Sequence, residues 1–292
     1  LTQQELQVAQ KIATLMRAAR KRQGLTQITV SQRLGISQSA LSKVESALLI
    51  PSAPQWFEFC EMTGIAADSL TTGLIESHRP ATLQQSDLDV GYKLNNKYRD
   101  NRGSKVRATL PFVAYFRSIY GDQGFDDWMK YIKVDSDMFV DLDTQVNLNF
   151  CLDIARELTQ RGLLKAKDFP KLVKTVSQPQ THGSVHRFYD GNNSLNLLTV
   201  LIQNSKQYEC NFQYKIEDHK KDQIEISVTP EKHLKSFAYK DDPVLGDFLC
   251  KYKQHYFERF ATYGGAAGAE LREGQCHYKG ADRCVYHLKM AS

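Results

Sequence analysis

Thr26-Gln27-Ile28-Thr29-Val30-Ser31-Gln32-Arg33-Leu34-Gly35-Ile36-Ser37-Gln38-Ser39-Ala40-Leu41-Ser42-Lys43-Val44-Glu45 reads as two short helices joined by a tight turn. Thr26 is an N-cap residue for a first helix ending near Leu34. Gly35 tolerates the left-handed conformation that ends a helix, and Ser37 caps the second helix two residues later. Val30, Leu34, Ile36, Leu41 and Val44 are spaced to form one apolar seam between the helices. The outward face of the second helix then carries Gln38, Ser39, Ser42 and Lys43. Short or flexible hydrogen-bonding side chains of this kind suit base edges and phosphates. The pattern is a helix-turn-helix, which sets its second helix in the major groove of double-stranded DNA.

The flanks extend the motif into a small all-α domain. Val8, Ile12, Leu15, Met16 and Ala19 follow the spacing of an amphipathic helix that Gly24 closes. Pro51 stops the chain, Ser52 caps a fourth helix with Pro54 in its first turn, and Trp56, Phe57, Phe59, Cys60 and Met62 supply its buried side. A short fifth helix is expected within residues 66–75. Between Leu6 and Val44 stand Lys11, Arg17, Arg20, Lys21, Arg22, Arg33 and Lys43, with no Asp or Glu. A one-signed stretch attracts a polyanion.

Residues 8–70 resemble the DNA-binding domain of the XRE/Cro/cI repressor family. The likeness lies in the Thr-Gln opening, the Leu-Gly-Ile-Ser turn, the Ser-Ala-Leu-Ser-Lys-Val-Glu helix and the later Pro. It implies that Gln27 contacts a phosphate, that Gln38, Ser39 and Lys43 face bases, and that Ser42 lies near the DNA backbone. Ser37, at the head of the same helix, joins them as a candidate contact. This chain departs from the family at Ser31, where Ala is usual, and at Ser46-Ala47, where Asn-Gly is usual. It departs again at Ile28, where polar residues are usual, and at Leu48-Leu49-Ile50, where a basic residue is common. That apolar run is expected to pack against the rest of the chain or a second subunit.

At 292 residues the chain is too long for such a head alone. About 215 residues remain, enough for one large domain or two small ones. The net charge is +5, and the excess is not confined to the head, because residues 1–79 hold eight basic and six acidic residues. A second basic cluster, Lys93, Lys97, Arg99, Arg102, Lys105 and Arg107, is opposed only by Asp100. It could flank DNA, grip an anionic ligand or be a solvated linker helix. No apolar run approaches the eighteen residues a membrane helix needs, and no leader pattern is visible. A cytoplasmic protein without membrane contact is expected. The six cysteines are scattered, so buried thiols are expected, not a disulfide framework.

Residues 78–105 read as a polar linker running into a helix, and residues 106–292 as an α+β domain. Leu110, Phe112, Val113, Phe116 and Ile119 build an apolar helix ended by Tyr120-Gly121. Phe125, Trp128, Met129, Tyr131 and Ile132 make another, and residues 146–161 and 169–176 two more. Residues 195–203, 208–216 and 223–229 read as antiparallel strands. Residues 244–263 form a long helix, and 269–278 with 283–289 a closing hairpin. Helices packed on an antiparallel sheet are the expected layer.

The closing segment, residues 270–287 with its Cys276-x7-Cys284 hairpin and internal Gly280, resembles the 4-vinyl reductase type of ligand-binding domain. That fold is related to haem–nitric-oxide-binding sensors. The likeness implies a small-molecule pocket between helices and sheet, but not haem, since the Tyr-x-Ser-x-Arg motif of the haem branch is missing. His182 and His186 are axial candidates by position only, and a solvated loop is the simpler reading of both.

Cys276, His277, Cys284 and His287 offer soft metal ligands. Adjacent residues on a strand point to opposite faces, as do residues three apart, so the four do not converge. No metal site is assigned. Cys276 and Cys284 are expected to pack as small hydrophobes across the hairpin, with a redox-switchable pair as the sharper alternative. Asp135, Asp137, Asp141 and Asp143 could bind a cation, but are expected to cap a helix and stay solvated. Tyr263-Gly264-Gly265-Ala266-Ala267-Gly268 follows a helix and leads to a strand, the reverse of a dinucleotide fingerprint. A flexible connection or a close backbone approach is expected there. Phosphate-loop, nucleophile-elbow and zinc-protease motifs are missing, and no catalytic residue is assigned.

The sequence therefore predicts an all-α helix-turn-helix domain at 1–77 and an α+β domain that senses a small-molecule effector, dimerises, or does both. The expected protein is a homodimeric, non-enzymatic transcription regulator. The alternative is a DNA-bound scaffold whose C-terminal domain binds another protein.

Overall fold

Helix α1 (Gln3–Arg22) begins on a capping box: Thr2 Oγ1 accepts from the Glu5 N–H at 3.2 Å, and the Glu5 carboxylate accepts from the Thr2 N–H at 2.7 Å. The computed structural model of the chain describes residues 2–76, 91–100, 102–174, 193–220, 222–236, 243–265 and 267–291. His182 and His186 lie outside these residues. Two compact units emerge. One comprises Leu1–Lys97 with Asp126–Gln145, the other Tyr98–Phe125 with Val146–Ser292. The stretch Asp126–Gln145, which the sequence pattern ran into the C-terminal domain, thus packs with the N-terminal helices.

In the first unit, α2 (Gln27–Arg33), α3 (Gln38–Glu45), α4 (Ala53–Thr63) and α5 (Ser69–Thr72) follow α1. Thr26, Ser37 and Ser52 are the N-caps, as expected, each accepting from the backbone N–H three residues on. Ile12, Leu15, Met16, Ala19, Val30, Leu34, Leu41, Val44, Trp56 and Phe59 fill the core. Val8, assigned to the buried face of α1, is exposed, because Ala9, fully buried next to it, takes the inward side of that turn. Phe57 is 60% exposed for a related reason: Trp56, Phe59 and Cys60 take the inward side of α4.

The two helix ends flanking α3 differ instructively. Gly35 ends α2 at φ 65°. Ala47 ends α3 in the same left-handed region, at φ 59°, where glycine is the usual residue. The Ala47 N–H donates to Val44 O at 3.0 Å and the Leu48 N–H to Lys43 O at 2.8 Å, the paired bonds of a Schellman end. An alanine there carries about 1–2 kcal/mol of steric cost. Ala47→Gly should stabilise this unit by about 0.5–1 kcal/mol, since glycine's greater freedom in the unfolded chain offsets part of the relief. A shift of the urea midpoint at constant slope checks it.

Helix α6 (Val106–Ile132) begins in the second unit, and its residues from Asp126 on belong to the first; it breaks at Gly121, where φ is 72° and ψ 174°, as the Tyr120-Gly121 signal predicted. Helices α7 (Leu148–Gln160) and α8 (Phe169–Lys174) follow. The expected strand at 195–203 is instead helix α9 (Ser194–Gln203). Asn193 caps it through the Asn196 N–H at 2.9 Å, and Leu195, Leu198 and Ile202 bury one helical face. Leucine at helical spacing with a good cap outweighs the few β-branched residues. The expected strand start at 208 also moves, because Ser205–Gln207 is a 3-10 turn.

The sheet is formed by β1 (Phe212–His219), β2 (Gln223–Pro230), β3 (Ala269–Gln275) and β4 (Cys284–Met290), antiparallel in the order β1-β2-β4-β3. Ile226 pairs with Tyr286 and Val228 with Cys284. The long helix α10 (Pro243–Ala261) packs on the sheet and against α8 and α9. Phe112, Phe169, Phe248 and Tyr252 interlock between the helices, with ring centroids 4.6–5.8 Å apart. Helices on one antiparallel sheet are the α+β layer expected from the sequence.

Two other expectations resolve here. Of the cluster read as flanking DNA, gripping an anionic ligand or forming a solvated linker, Lys105 and Arg107 are not solvated but buried, because the Lys105 N–H donates to Tyr208 O at 2.8 Å and ties the segment into the unit. The glycine-rich stretch makes a close backbone approach: a Cβ at Gly264 would lie 2.4 Å from Ser194 N, at the start of α9.

Candidate functional site

The first candidate surface is the outward row of α3. Gln38, Ser39 and Lys43 are exposed and Ser42 is half-buried. Lys43 makes no ion pair among the described residues. Ser37 Oγ accepts from the Ala40 N–H at 3.1 Å and lies 3.0 Å from Ser39 Oγ, so its first task is the cap. Gln27 is half-buried. Its Nε2 donates to Glu45 Oε2 at 2.8 Å, and its Oε1 accepts from Gln38 Nε2 at 2.6 Å. Gln27 thereby fixes the amide orientation of Gln38, leaving the Gln38 carbonyl oxygen outward.

Beneath this row lies a polar network that the sequence did not reveal. Glu45 is 4% exposed and takes Arg20 Nε at 2.6 Å and Nη2 at 2.9 Å. Arg17 Nη1 donates to the Glu45 carbonyl. Arg17 also grips Asp137 in a fork, with Nε 3.0 Å from Oδ2 and Nη2 2.9 Å from Oδ1. Lys21 Nζ lies 2.6 Å from Asp135 and 2.8 Å from Asp137, and Arg22 Nε 3.6 Å from Asp141. Burial pushes the Asp137 carboxyl up, but Arg17 and Lys21 more than offset it and hold the group below its ordinary range. Burial pushes Asp141 up, with Arg22 opposing.

Two expectations are corrected by this network. The acidic run at 135–143 does not stay solvated, since Asp137, Asp141 and Asp143 are buried. The basic run of α1 is not a free polyanion-attracting face, because its guanidinium and ammonium groups are engaged inside the unit. The nearest sequence signal was charge complementarity between two runs more than a hundred residues apart. Leu48 and Leu49, expected to pack against the rest of the chain or a second subunit, are 71% and 42% exposed in the single chain, so the rest of the chain leaves them uncovered, and Ile28 is 60% exposed.

The second candidate site is a cavity of about 120 Å³ within the second unit. Phe112, Leu148, Leu249 and Phe257 line it with Tyr214, Tyr252 and Tyr256, and three charged side chains enter it: Arg107, Glu209 and Lys253. Glu209 accepts from the Asn211 N–H at 3.1 Å. Burial raises the Glu209 carboxyl and Lys253 partly counters this. Burial lowers the Lys253 ammonium, with Glu209 opposing. Lys253 was legible in principle. It stands between Leu249 and Phe257 at i, i+4, i+8, in the apolar stripe of α10, where a lysine breaks the pattern.

A cluster of three thiols brings one cysteine of that helix against two of the closing hairpin. Cys250 Sγ of α10 lies 3.5 Å from Cys276 Sγ and 3.7 Å from Cys284 Sγ, and all three sulfurs fall within 4.8 Å of one another. The Cys284 thiol is drawn down, first by its hydrogen bond with Cys250, against burial, and also by the His277 N–H and the Lys253 charge. The Glu273 carboxylate accepts from Lys279 Nζ at 2.7 Å through Oε2, its Oε1 is buried without a hydrogen-bond partner among the described residues, and its charge acts on Cys276. Three cysteine sulfurs with a carboxylate nearby are a donor set for zinc or another thiophilic cation. The sequence reading paired Cys276 with Cys284 and assigned no metal. Cys250, from a helix 26 residues before Cys276, completes the set. His277 and His287 stay out of it: His277 Nδ1 lies 3.1 Å from Ala281 O, and His287 pairs with Glu225 at 3.2 Å.

Residues 16–70 match the helix-turn-helix family model. No curated protein matches the chain. Among solved structures, the chain is similar to an H-NOX protein from S. oneidensis in the Fe(II)NO ligation state, at 11% identity over 64% of this chain and 99% of that one, with a TM-score of 0.48. It is also similar to the unliganded Fe(II) H-NOX protein from K. algicida, at 8% identity over 64% and 97%, TM-score 0.44. A mutant T. tengcongensis H-NOX gives 14% identity over 64% and 98%, TM-score 0.44. Among the described residues no helix is long and apolar enough to cross a membrane.

Proposed function

We propose that the protein is a sequence-specific DNA-binding transcription regulator, acting as a cytoplasmic homodimer, whose C-terminal unit binds a small-molecule effector and has no catalytic role. The observation that carries the DNA-binding part is the α3 row itself. Gln38, Ser39 and Lys43 face outward from a rigidly capped helix, within the segment that matches the helix-turn-helix family. With most basic side chains of α1 paired internally, Lys43 is the cation presented by the recognition helix. The cavity lined by Arg107, Glu209 and Lys253 supports the effector-binding part. The exposed Leu48 and Leu49 support association with a second copy. An effector alters DNA affinity only if it distinguishes two arrangements of the protein.

Lys43→Ala and Gln38→Ala should each weaken binding to the selected operator by about 1–3 kcal/mol, since a good base contact discriminates by that amount. Fluorescence anisotropy with operator and scrambled duplexes checks it. Unchanged affinity in both variants excludes this placement of α3. Native mass spectrometry of the full-length protein tests the rest, with a dimer carrying extra non-covalent mass expected. A monomer without added mass excludes the dimer and argues against a resident effector.

A further inference from the structure

Lys253 is 8% exposed, and its Nζ sits 3.1 Å from the centroid of the Phe212 ring. It makes no hydrogen bond or ion pair among the described residues, although it lines the cavity of the second unit. Among the described residues no acceptor lies within hydrogen-bond distance of this ammonium, and the Glu209 charge in the same cavity offsets its desolvation only in part. Arg107 enters the same cavity and adds a second positive charge, while Glu209 supplies one carboxyl group. The remaining lining is aromatic and aliphatic.

We propose that this cavity binds a small aromatic monocarboxylate, with its carboxylate on Lys253 Nζ and its ring among Phe112, Leu249, Tyr252 and Phe257. This rests on the effector-sensor reading and names its ligand class. Size bounds the ligand and charge selects it. An apolar cavity of about 150 Å³ holds a benzene ring, so about 120 Å³ admits no more than a single-ring molecule. A neutral ligand would leave the ammonium without an acceptor, and Glu209 disfavours a second negative group.

The test is isothermal titration calorimetry on the full-length protein with two probes of matched size, benzoate and benzyl alcohol. Wild-type protein is expected to bind benzoate about tenfold or more tightly than benzyl alcohol, the scale of one charge-assisted hydrogen bond. Lys253→Met is expected to lose that preference while keeping benzyl alcohol, and Lys253→Arg to retain it. If the methionine variant does not fold, the wild-type comparison alone decides. Benzyl alcohol bound as tightly as benzoate overturns the assignment but leaves an effector cavity standing. Benzoate bound equally by wild type and Lys253→Met also overturns it. Binding of neither probe overturns it too, and if no co-purified mass is found by native mass spectrometry the sensor reading falls with it.

Discussion

Glu45→Ala is expected to cost the N-terminal unit about 3–5 kcal/mol, the usual loss when one partner of a buried ion pair is removed, and to abolish operator binding. Glu45 is 4% exposed, and the Arg20 side chain 14%, so solvent cannot take over the lost contact. The substitution strands the Arg20 guanidinium, which among the described residues retains Leu25 O at 3.0 Å, and frees Gln27, which then no longer orients Gln38. Both tryptophans, Trp56 and Trp128, belong to this unit, so intrinsic fluorescence under urea reports its unfolding directly. The double variant Arg20→Met with Glu45→Leu separates the two consequences. Replacing both partners with apolar groups should recover most of the stability, while operator affinity stays low because the Gln27–Gln38 pair has lost its anchor. A single Glu45→Ala variant within about 1 kcal/mol of wild type would refute the network's role.

Zinc loading is expected to give the second large effect. Cys250, Cys276 and Cys284 bring three sulfurs within one coordination sphere, and a ligand that binds only the folded state stabilises it by about 4 kcal/mol at a thousandfold excess over Kd. The second unit should bind one zinc per chain and unfold at a higher temperature. Chelation should lower the transition, and Cys250→Ser should remove the response. Loading should also weaken as pH falls, since the bound sulfurs are thiolates. Elemental analysis finding no zinc after loading, with an unmoved transition, excludes the site and leaves three packed thiols.

The helix-turn-helix was readable because its determinants are local: Thr26, Gly35 and Ser37 punctuate the helices within a few residues of the seam they organise. The closing hairpin was readable for the same reason. The strand assigned to residues 195–203 failed because a run with few β-branched residues is ambiguous without its cap, and Asn193 decided it as a helix. The internal pairing of α1 with Asp135, Asp137 and Asp141 was hidden by sequence separation. Counting charges in one window cannot show that a second window neutralises them. Cys250 and Lys253 share that difficulty, though a lysine inside the apolar stripe of α10 carried a local signal that the helical pattern alone could have flagged.

The central claim is sequence-specific DNA binding through α3. Repeated selection from a randomised duplex library by the full-length protein tests it most directly. The expected result is one enriched motif built of two related half-sites about one helical turn apart, bound much more weakly by Lys43→Ala. A library that stays random after several rounds, or a motif that Lys43→Ala and Gln38→Ala bind as well as wild type, would contradict it.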